Sequence, residues 1–442
     1  MQLYGRRRDR LSKSIKRNSG ILFVCGLLLF ALLQFFRPSI PAPPENVEVH
    51  APESATKVLR TSCYSCHSNE RRLSWFDEIV PAYWLVRRDV LDARRHLNFS
   101  TLGGKPVAAQ RAALFEAVNM AQLDAMPLKS FTALHPEAKI QQSDLANLKA
   151  FLAPWGTIPP SQPDPPEIHT PSVTESAPGG LAFDDGFVGW HLLSVTDRGD
   201  NNTFRFILGN DIATKAAREG RVYPWPNGAR FAKIAWQQRT LSTGLIGPGE
   251  FIQVEMMAKG AEEYRSSDGW GWGRWKGPNL KPYGTDASVV GECTGCHAPM
   301  KQNDFVYTMP ISADHGKPDA LNATAASLPK LPFDPFEATP ITMFVDRNRG
   351  TISVLFRNDT AIRGSSDLLM VTWHEEADSH WFGARIPGSF LEAESLQRLS
   401  ATETPEYTRI DQDGQISHPS TAEAKEHVMM LEKLQPLPAL SH

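Results

Sequence analysis

Apolar residues recur with two different periods along this chain, and the change from one to the other divides it. Between residues 57 and 153 the spacing is helical: Tyr83 to Leu97, Ala108 to Ala121 and Ser143 to Leu152 each set apolar side chains at three- and four-residue intervals. Ser143-Asp144 is the expected cap of the last helix. From 179 to 312 the period shortens to two, and Thr203 to Leu208, Ala229 to Gln237, Phe251 to Met257 and Gly269 to Trp275 are expected strands around one helix, Asp211 to Arg218. The alternation resumes at 341. Ile341 to Asp346 and Thr351 to Arg357 flank a turn containing Asn348 and Gly350, and Leu368 to His374 with Ser379 to Ile386 make a second hairpin. A helical pattern near Ala422 to Leu434 closes the chain.

The N-terminal end carries a third pattern. Gly20 to Phe36 holds no charge over 17 residues, close to the lower limit for a helix that spans a bilayer. Before it, residues 1–19 crowd Arg6, Arg7, Arg8, Arg10, Lys13, Lys16 and Arg17 against a lone Asp9. The expectation is a basic cytoplasmic tail (1–19), a single-pass anchor in the inner membrane (20–36) and the rest of the chain in the periplasm. A cleaved signal peptide is the alternative, but Phe35-Phe36-Arg37-Pro38 lacks a small-residue cleavage site. Cys25 then reads as a thiol inside that helix.

Prolines punctuate the remainder of the chain. Residues 37–56 and 154–178 read as Pro-rich linkers, extended and semi-rigid, and 313–340 as a third, less uniform linker. They separate a helical domain (57–153), a strand-rich domain (179–312) and a β-rich C-terminal segment (341–442) to which the sequence assigns no chemistry. The fold class is multidomain α+β. A formal net charge of -3 argues against a nucleic-acid partner.

Apart from Cys25, the cysteines form two Cys-X-X-Cys-His units, Cys63-Tyr-Ser-Cys66-His67 and Cys293-Thr-Gly-Cys296-His297. This is the c-type haem attachment signature. Two thiols three positions apart on a helical turn can meet the two vinyl groups of one porphyrin, and the adjacent histidine then faces the iron. A redox dithiol and a zinc half-site are the competing readings, and the wide separation of the two pairs does not suit a zinc ribbon. Electron-transfer haems are usually closed by a second axial ligand, often a methionine. Met126, just before Pro127, is the candidate partner of His67; Met120, His96 and His135 are the alternatives, and a plain core methionine is the competing reading.

The run TSCYSCHSNE, with SWFDEIVPAYWLVRRDV, RRHLNFS, AMPL and HPEAK, makes residues 57–153 resemble the bacterial haem-binding domain family. The resemblance implies a small helical c-type cytochrome with His67 axial, and is consistent with Met126 opposite it. In the next domain the haem motif comes after the strands. There RFILGNDIA, YPWPNGARFAKIAW, GEFIQVEMMAKGAEEY, GWGWGRW and APMKQNDFVYTMP together resemble the cytochrome P-460 family over roughly 179–312. That resemblance implies a mainly antiparallel β domain, typically homodimeric, whose haem iron is held by His297 and open on its distal face. Members oxidise hydroxylamine, and the related β-type cytochromes c-prime bind nitric oxide. A strand lysine in the family bonds covalently to the porphyrin, and Lys233 matches its position.

The residues themselves carry part of this. Alternation puts Phe231, Lys233 and Ala235 on one strand face, where a lysine is costly unless paired or reacted. A stem lying on the sheet with its ammonium in water is the competing reading. Asp286, Glu292, Glu255 and Glu263 are carboxylates able to serve as a distal acid or base, and the sequence does not choose among them. Trp225, Trp236, Trp270, Trp272 and Trp275 read as core and haem-edge packing. His374 and His380 are isolated and make no metal site.

The combined expectation is a membrane-anchored periplasmic cytochrome with two covalent c-type haems. Its second haem, with Lys233 as the catalytic and possible cross-linking residue, oxidises hydroxylamine or a related small nitrogen species. Electrons pass to the His67/Met126 haem and on to a periplasmic or membrane acceptor. Nitric oxide binding without turnover and plain electron transfer are the alternatives.

Overall fold

The computed structural model describes residues 21–42, 47–70, 72–153, 175–308, 310–311, 328–358, 367–397 and 406–420. The basic run 1–19, most of the 154–178 and 313–340 linkers and the helix expected near Ala422 to Leu434 lie outside these. The chain divides into two compact units, Met1–Leu114 with Pro127–Phe151, and Phe115–Met126 with Leu152–His442.

The expected membrane anchor is corrected. Among the described residues, helix covers 21–33 of the apolar run, about 20 Å at 1.5 Å per residue against a hydrocarbon core of about 30 Å. No helix among the described residues is long and apolar enough to cross a membrane, so the single-pass inner-membrane placement, with its cytoplasmic tail and periplasmic bulk, is not supported. The residues beyond 33 are engaged elsewhere. Gln34 exchanges hydrogen bonds with the Val80 backbone at 3.0 and 3.1 Å, and the Phe36 carbonyl accepts the Trp84 indole N–H at 2.8 Å.

The first unit is helical, and its elements include Glu53–Ser62, Tyr64–His67, Ala82–His96, Phe99–Leu102, Lys129–Thr132 and all but the last residue of Gln142–Leu152, while Val107–Gln122 is divided between the two units. Helix period sets the buried stripe: Ala55, Val58, Leu59 and Ser62 of the first helix, Tyr83 and Val90 of the third. Asp144 caps Gln142–Leu152 from inside the first turn, accepting the Gln141 N–H at 2.9 Å. The proline-rich stretch after residue 36 lies along Ala82–His96 rather than free. Arg87 and Arg94 donate to the Ser39 and Pro41 carbonyls at 3.0 and 2.8 Å, satisfying backbone acceptors that proline-rich chain cannot pair internally.

The second unit is a closed antiparallel barrel. Its strands are β1 (His191–Arg198), β2 (Thr203–Gly209), β3 (Arg230–Thr240), β4 (Ile246–Lys259), β5 (Trp270–Lys276), β6 (Lys281–Pro282), β7 (Thr339–Asp346), β8 (Thr351–Asn358), β9 (Asp367–Ala377), β10 (Ala384–Gln397), β11 (Glu406–Ile410) and β12 (Ile416–Ser417). The path β1-β2-β3-β4-β7-β8-β9-β10 returns to its start, because Asp197 and Arg198 pair with Arg385 and Ala384. Segment 341–442, on sequence a segment apart, thus supplies half of the barrel wall.

β4 explains the branching. Its first residue pairs with Val345 of β7, while Gln253 to Lys259 pair with β5. Alternation then builds two cores. Inward residues Phe206, Ile234, Trp236, Val254, Met343 and Val371 fill the barrel. Outward Phe231, Trp270 and Trp272 pack under the helix Asp211–Arg218 and the helix Ser288–His297.

The sequence pattern places β10 too early. Residues Ser379 to Gly383 form the turn, with Gly383 at φ 90°, and the strand runs on to Gln397 through register shifts at Pro387 and Phe390. Proline cannot donate to the ladder, so Pro387-Gly388 reads as a strand end while the structure accommodates it as a bulge.

Candidate haem sites

The first motif ends a helical turn. Both Cys66 and His67 donate their backbone N–H to the Cys63 carbonyl, at 3.2 and 2.9 Å, which puts the two thiols and the imidazole on one short stretch of helix. Burial pushes the Cys63 thiol up to about 12 and the Cys66 thiol up to about 11, so both are protonated, and it lowers His67 from the ordinary histidine value. His67 Nδ1 lies 3.0 Å from the Leu97 carbonyl. A carbonyl only accepts, so Nδ1 carries the proton and the Nε2 lone pair is left for a metal.

Of the candidate partners, His135 is committed elsewhere: it is buried, its Nε2 is 3.1 Å from Asp77, and its ring stacks on Phe131 at 4.2 Å. His96 is exposed at the end of its helix. Met126 is 38% exposed in the turn after Val107–Gln122, its N–H donating to the Met120 carbonyl at 3.1 Å; it is grouped with the second unit.

The second motif ends the helix Ser288–His297. His297 repeats the arrangement, with Nδ1 2.7 Å from the Phe305 carbonyl. Burial, reinforced by the Lys233 charge, lowers it to about 4. Its ring lies between aromatic neighbours, Trp272 at 4.6 Å and Tyr307 at 5.3 Å, and the Tyr307 hydroxyl donates to the Cys296 carbonyl at 2.8 Å. Burial also raises both thiols.

Across the outer face runs a row of charge. Register sets Lys233 of β3 opposite Glu255 of β4, and Glu255 opposite Arg274 of β5. Lys233 forms an ion pair with Glu255, and Arg274 Nε donates to the same carboxylate at 2.7 Å. These charges act on Cys293 and His297, which places the row against the motif helix. Burial would raise Glu255, but Lys233 and Arg274 outweigh it and hold the carboxyl well below its usual range. Lys233 is therefore paired, which resolves the cost that a strand lysine incurs.

The other carboxylates stand apart. Glu292 accepts the Tyr283 hydroxyl at 3.3 Å, Asp286 is exposed where it accepts the Ser288 N–H, and Glu263 is exposed on the loop after β4. Glu255 alone of the four faces the motif.

Sequence reasoning misses Arg205, Arg274 and Tyr307. The two arginines carry a signal: like Lys233, each occupies an outward position in an otherwise apolar strand. Tyr307 carries none. Nor does His380, whose Nδ1 lies 3.1 Å from the Tyr307 carbonyl, or Trp381, whose ring meets Tyr307 at 5.6 Å; both come from the β9–β10 turn. Among the described residues no cluster of three or more metal-ligating side chains occurs.

These residues fit a haem. At each motif the thiols are unbridged and the histidine tautomer leaves Nε2 free. Beside the second, Arg205 Nε and Trp272 Nε1 are buried with no hydrogen-bond partner. Burial, reinforced by the Arg198 charge, lowers Arg205 to about 10.

Residues 28–154 match the family described as a haem-binding domain, and residues 184–308 match the family described as cytochrome P460. No curated protein matches the chain.

Proposed function

We propose that this chain, a haem-binding domain followed by a cytochrome P460 domain and so a haem protein of the P460 kind, carries two covalent c-type haems of unequal roles. Cys63, Cys66 and His67 hold the first, closed by Met126. Cys293, Cys296 and His297 hold the second, whose iron is open to hydroxylamine or a related small nitrogen species. The haem there supplies an iron to which the substrate nitrogen binds and through which electrons leave, toward the first haem and then an external acceptor.

The observation that carries this reading is the Lys233–Glu255–Arg274 row beneath the second motif; the charge network beside the first, Arg60 with Glu48 and Glu70, holds no lysine. Lys233 is the lysine of this row, at the position the resemblance gives to the strand lysine that bonds to the porphyrin. In this reading Glu255, the carboxylate of the row, takes protons released from the substrate. Arg205 offers charge to an anionic edge.

One observation favours a second reading. A carboxylate held far below the working pH is a weak proton acceptor, and Glu255 is so held while Lys233 remains an ammonium. In that state the site suits nitric oxide capture without turnover. Steady-state oxidation of hydroxylamine by the purified haem protein, with an artificial acceptor, separates the two: turnover that falls at least tenfold in Lys233→Ala supports the oxidase, and tight nitric oxide binding with no turnover supports the binder.

A further inference from the structure

After the second motif the chain turns back on itself at Asp304 and Phe305. Both have positive φ, 51° and 66°, and neither is glycine. The first is understandable as a helix stop. The Phe305 N–H donates to the Met300 carbonyl at 2.8 Å and the Asp304 N–H to the Lys301 carbonyl at 3.1 Å, the paired bonds of a C-cap whose left-handed position usually holds glycine. Glycine would meet the backbone requirement at lower cost, so the aspartate side chain needs its own explanation.

That side chain is a three-way clamp. Its Oδ2 accepts the Trp225 backbone N–H at 2.9 Å; its Oδ1 accepts Lys259 Nζ at 2.6 Å and Trp270 Nε1 at 3.2 Å. The donors come from the loop before β3, the end of β4 and the start of β5, so the carboxylate ties its own loop to two strands and a second loop. Lys259 is 9% exposed and Asp304 12%, so the pair is shielded from water. Phe305, held in a conformation that a bulky residue rarely adopts, buries its ring against the outer core. Its carbonyl is then aimed at His297 Nδ1 at 2.7 Å.

We propose that Asp304 is a positioning residue for the proximal histidine: by clamping the loop it holds the Phe305 carbonyl on His297 Nδ1, and so fixes the ring orientation and basicity of the ligand. This rests on the reading that His297 binds the second iron. A hydrogen bond from Nδ1 makes imidazole a stronger donor and favours ferric iron. Losing it shifts the balance toward ferrous.

The test is the reduction potential and the ferrous iron–histidine stretching band of the full haem-loaded chain. Asp304→Gly keeps the left-handed turn and deletes the clamp. The expected result is a potential raised at the second haem by a tenfold change in the ferric/ferrous ratio, about 59 mV for one electron, with the stretching band moved to lower frequency. Asp304→Asn, which suits the turn and still accepts hydrogen bonds, recovers part of both shifts. If Asp304→Gly does not fold, Lys259→Met removes one arm of the clamp and is expected to give a smaller shift in the same direction. Haem-loaded variants with lowered thermal stability but unchanged potential and band would overturn the proposal. Absence of the band from the unmodified protein would instead count against a five-coordinate iron on His297.

Discussion

Lys233 on β3 stands directly opposite Glu255 on β4, and Glu255 also accepts Arg274 from β5 at 2.7 Å, so one carboxylate is shared by two cations beneath the second motif helix. Removing that carboxylate leaves like charges facing each other in a site only partly open to water. Breaking a fully buried pair typically costs about 3–5 kcal/mol, and less where the ions keep some solvent. Glu255→Gln is therefore expected to lower the denaturant midpoint of the second unit strongly, whereas Glu263→Gln, on the exposed loop, is expected to leave stability within about 0.5 kcal/mol. Equal effects at the two positions would remove the case for a functional row.

Lys233 is the residue through which the row would reach the porphyrin. A lysine bonded to the macrocycle alters its conjugation, so the ferrous spectrum of the native protein should contain one band displaced well to the red of an ordinary c-type haem. In Lys233→Ala that band should return to the ordinary position while the first haem is unchanged. Two ordinary spectra in the native protein would mean that Lys233 is paired with Glu255 and nothing more.

Proton linkage gives an independent check on the second motif. In the haem-free chain His297 is held at about 4 by burial and the Lys233 charge, against an ordinary value of 6.5. The unfolded chain therefore binds a proton between those values that the folded one does not. Stability is full above pH 6.5 and falls as pH drops toward 4, by up to about 3 kcal/mol. Urea melts of His297→Asn should lack this part of the slope. Haem attachment should also suppress it, since a ligated nitrogen has no lone pair for the proton.

At the first motif the expected change is in coordination. Met126→Leu should convert that haem from low spin to high spin, abolish the weak ferric near-infrared absorption of iron–thioether bonding and lower the potential. Met120→Leu should do none of these. The reverse outcome would move the ligand to Met120.

The two periods in the sequence are enough to place most elements. The helix Asp211–Arg218 coincides with its expected bounds, and β2, β3, β4 and β5 each contain their expected core. The two Cys-X-X-Cys-His motifs are equally plain, because each is a short local pattern that needs no fold to read. What the sequence withholds is non-local. Nothing in Ile341 to Ile386 announces that these hairpins close a barrel with β1, since closure depends on a register that joins Asp197 to Arg385 across almost two hundred residues. The same distance hides His380 and Trp381, which reach Tyr307 only because the β9–β10 turn is brought there by that closure. The apolar run 20–36 misleads for a different reason. Hydropathy records composition, but Gln34 and Phe36 make hydrogen bonds within the first unit, and no helix among the described residues is long and apolar enough to cross a membrane.

Inequality of the two irons is the central claim, and ligand stoichiometry tests it most directly. Reduced protein with two haems per chain is titrated with carbon monoxide, which binds an open ferrous iron and competes poorly with a bound methionine. One equivalent per chain is predicted, lost in His297 variants and raised to two in Met126→Leu. Two equivalents in the native protein, or none, would contradict it.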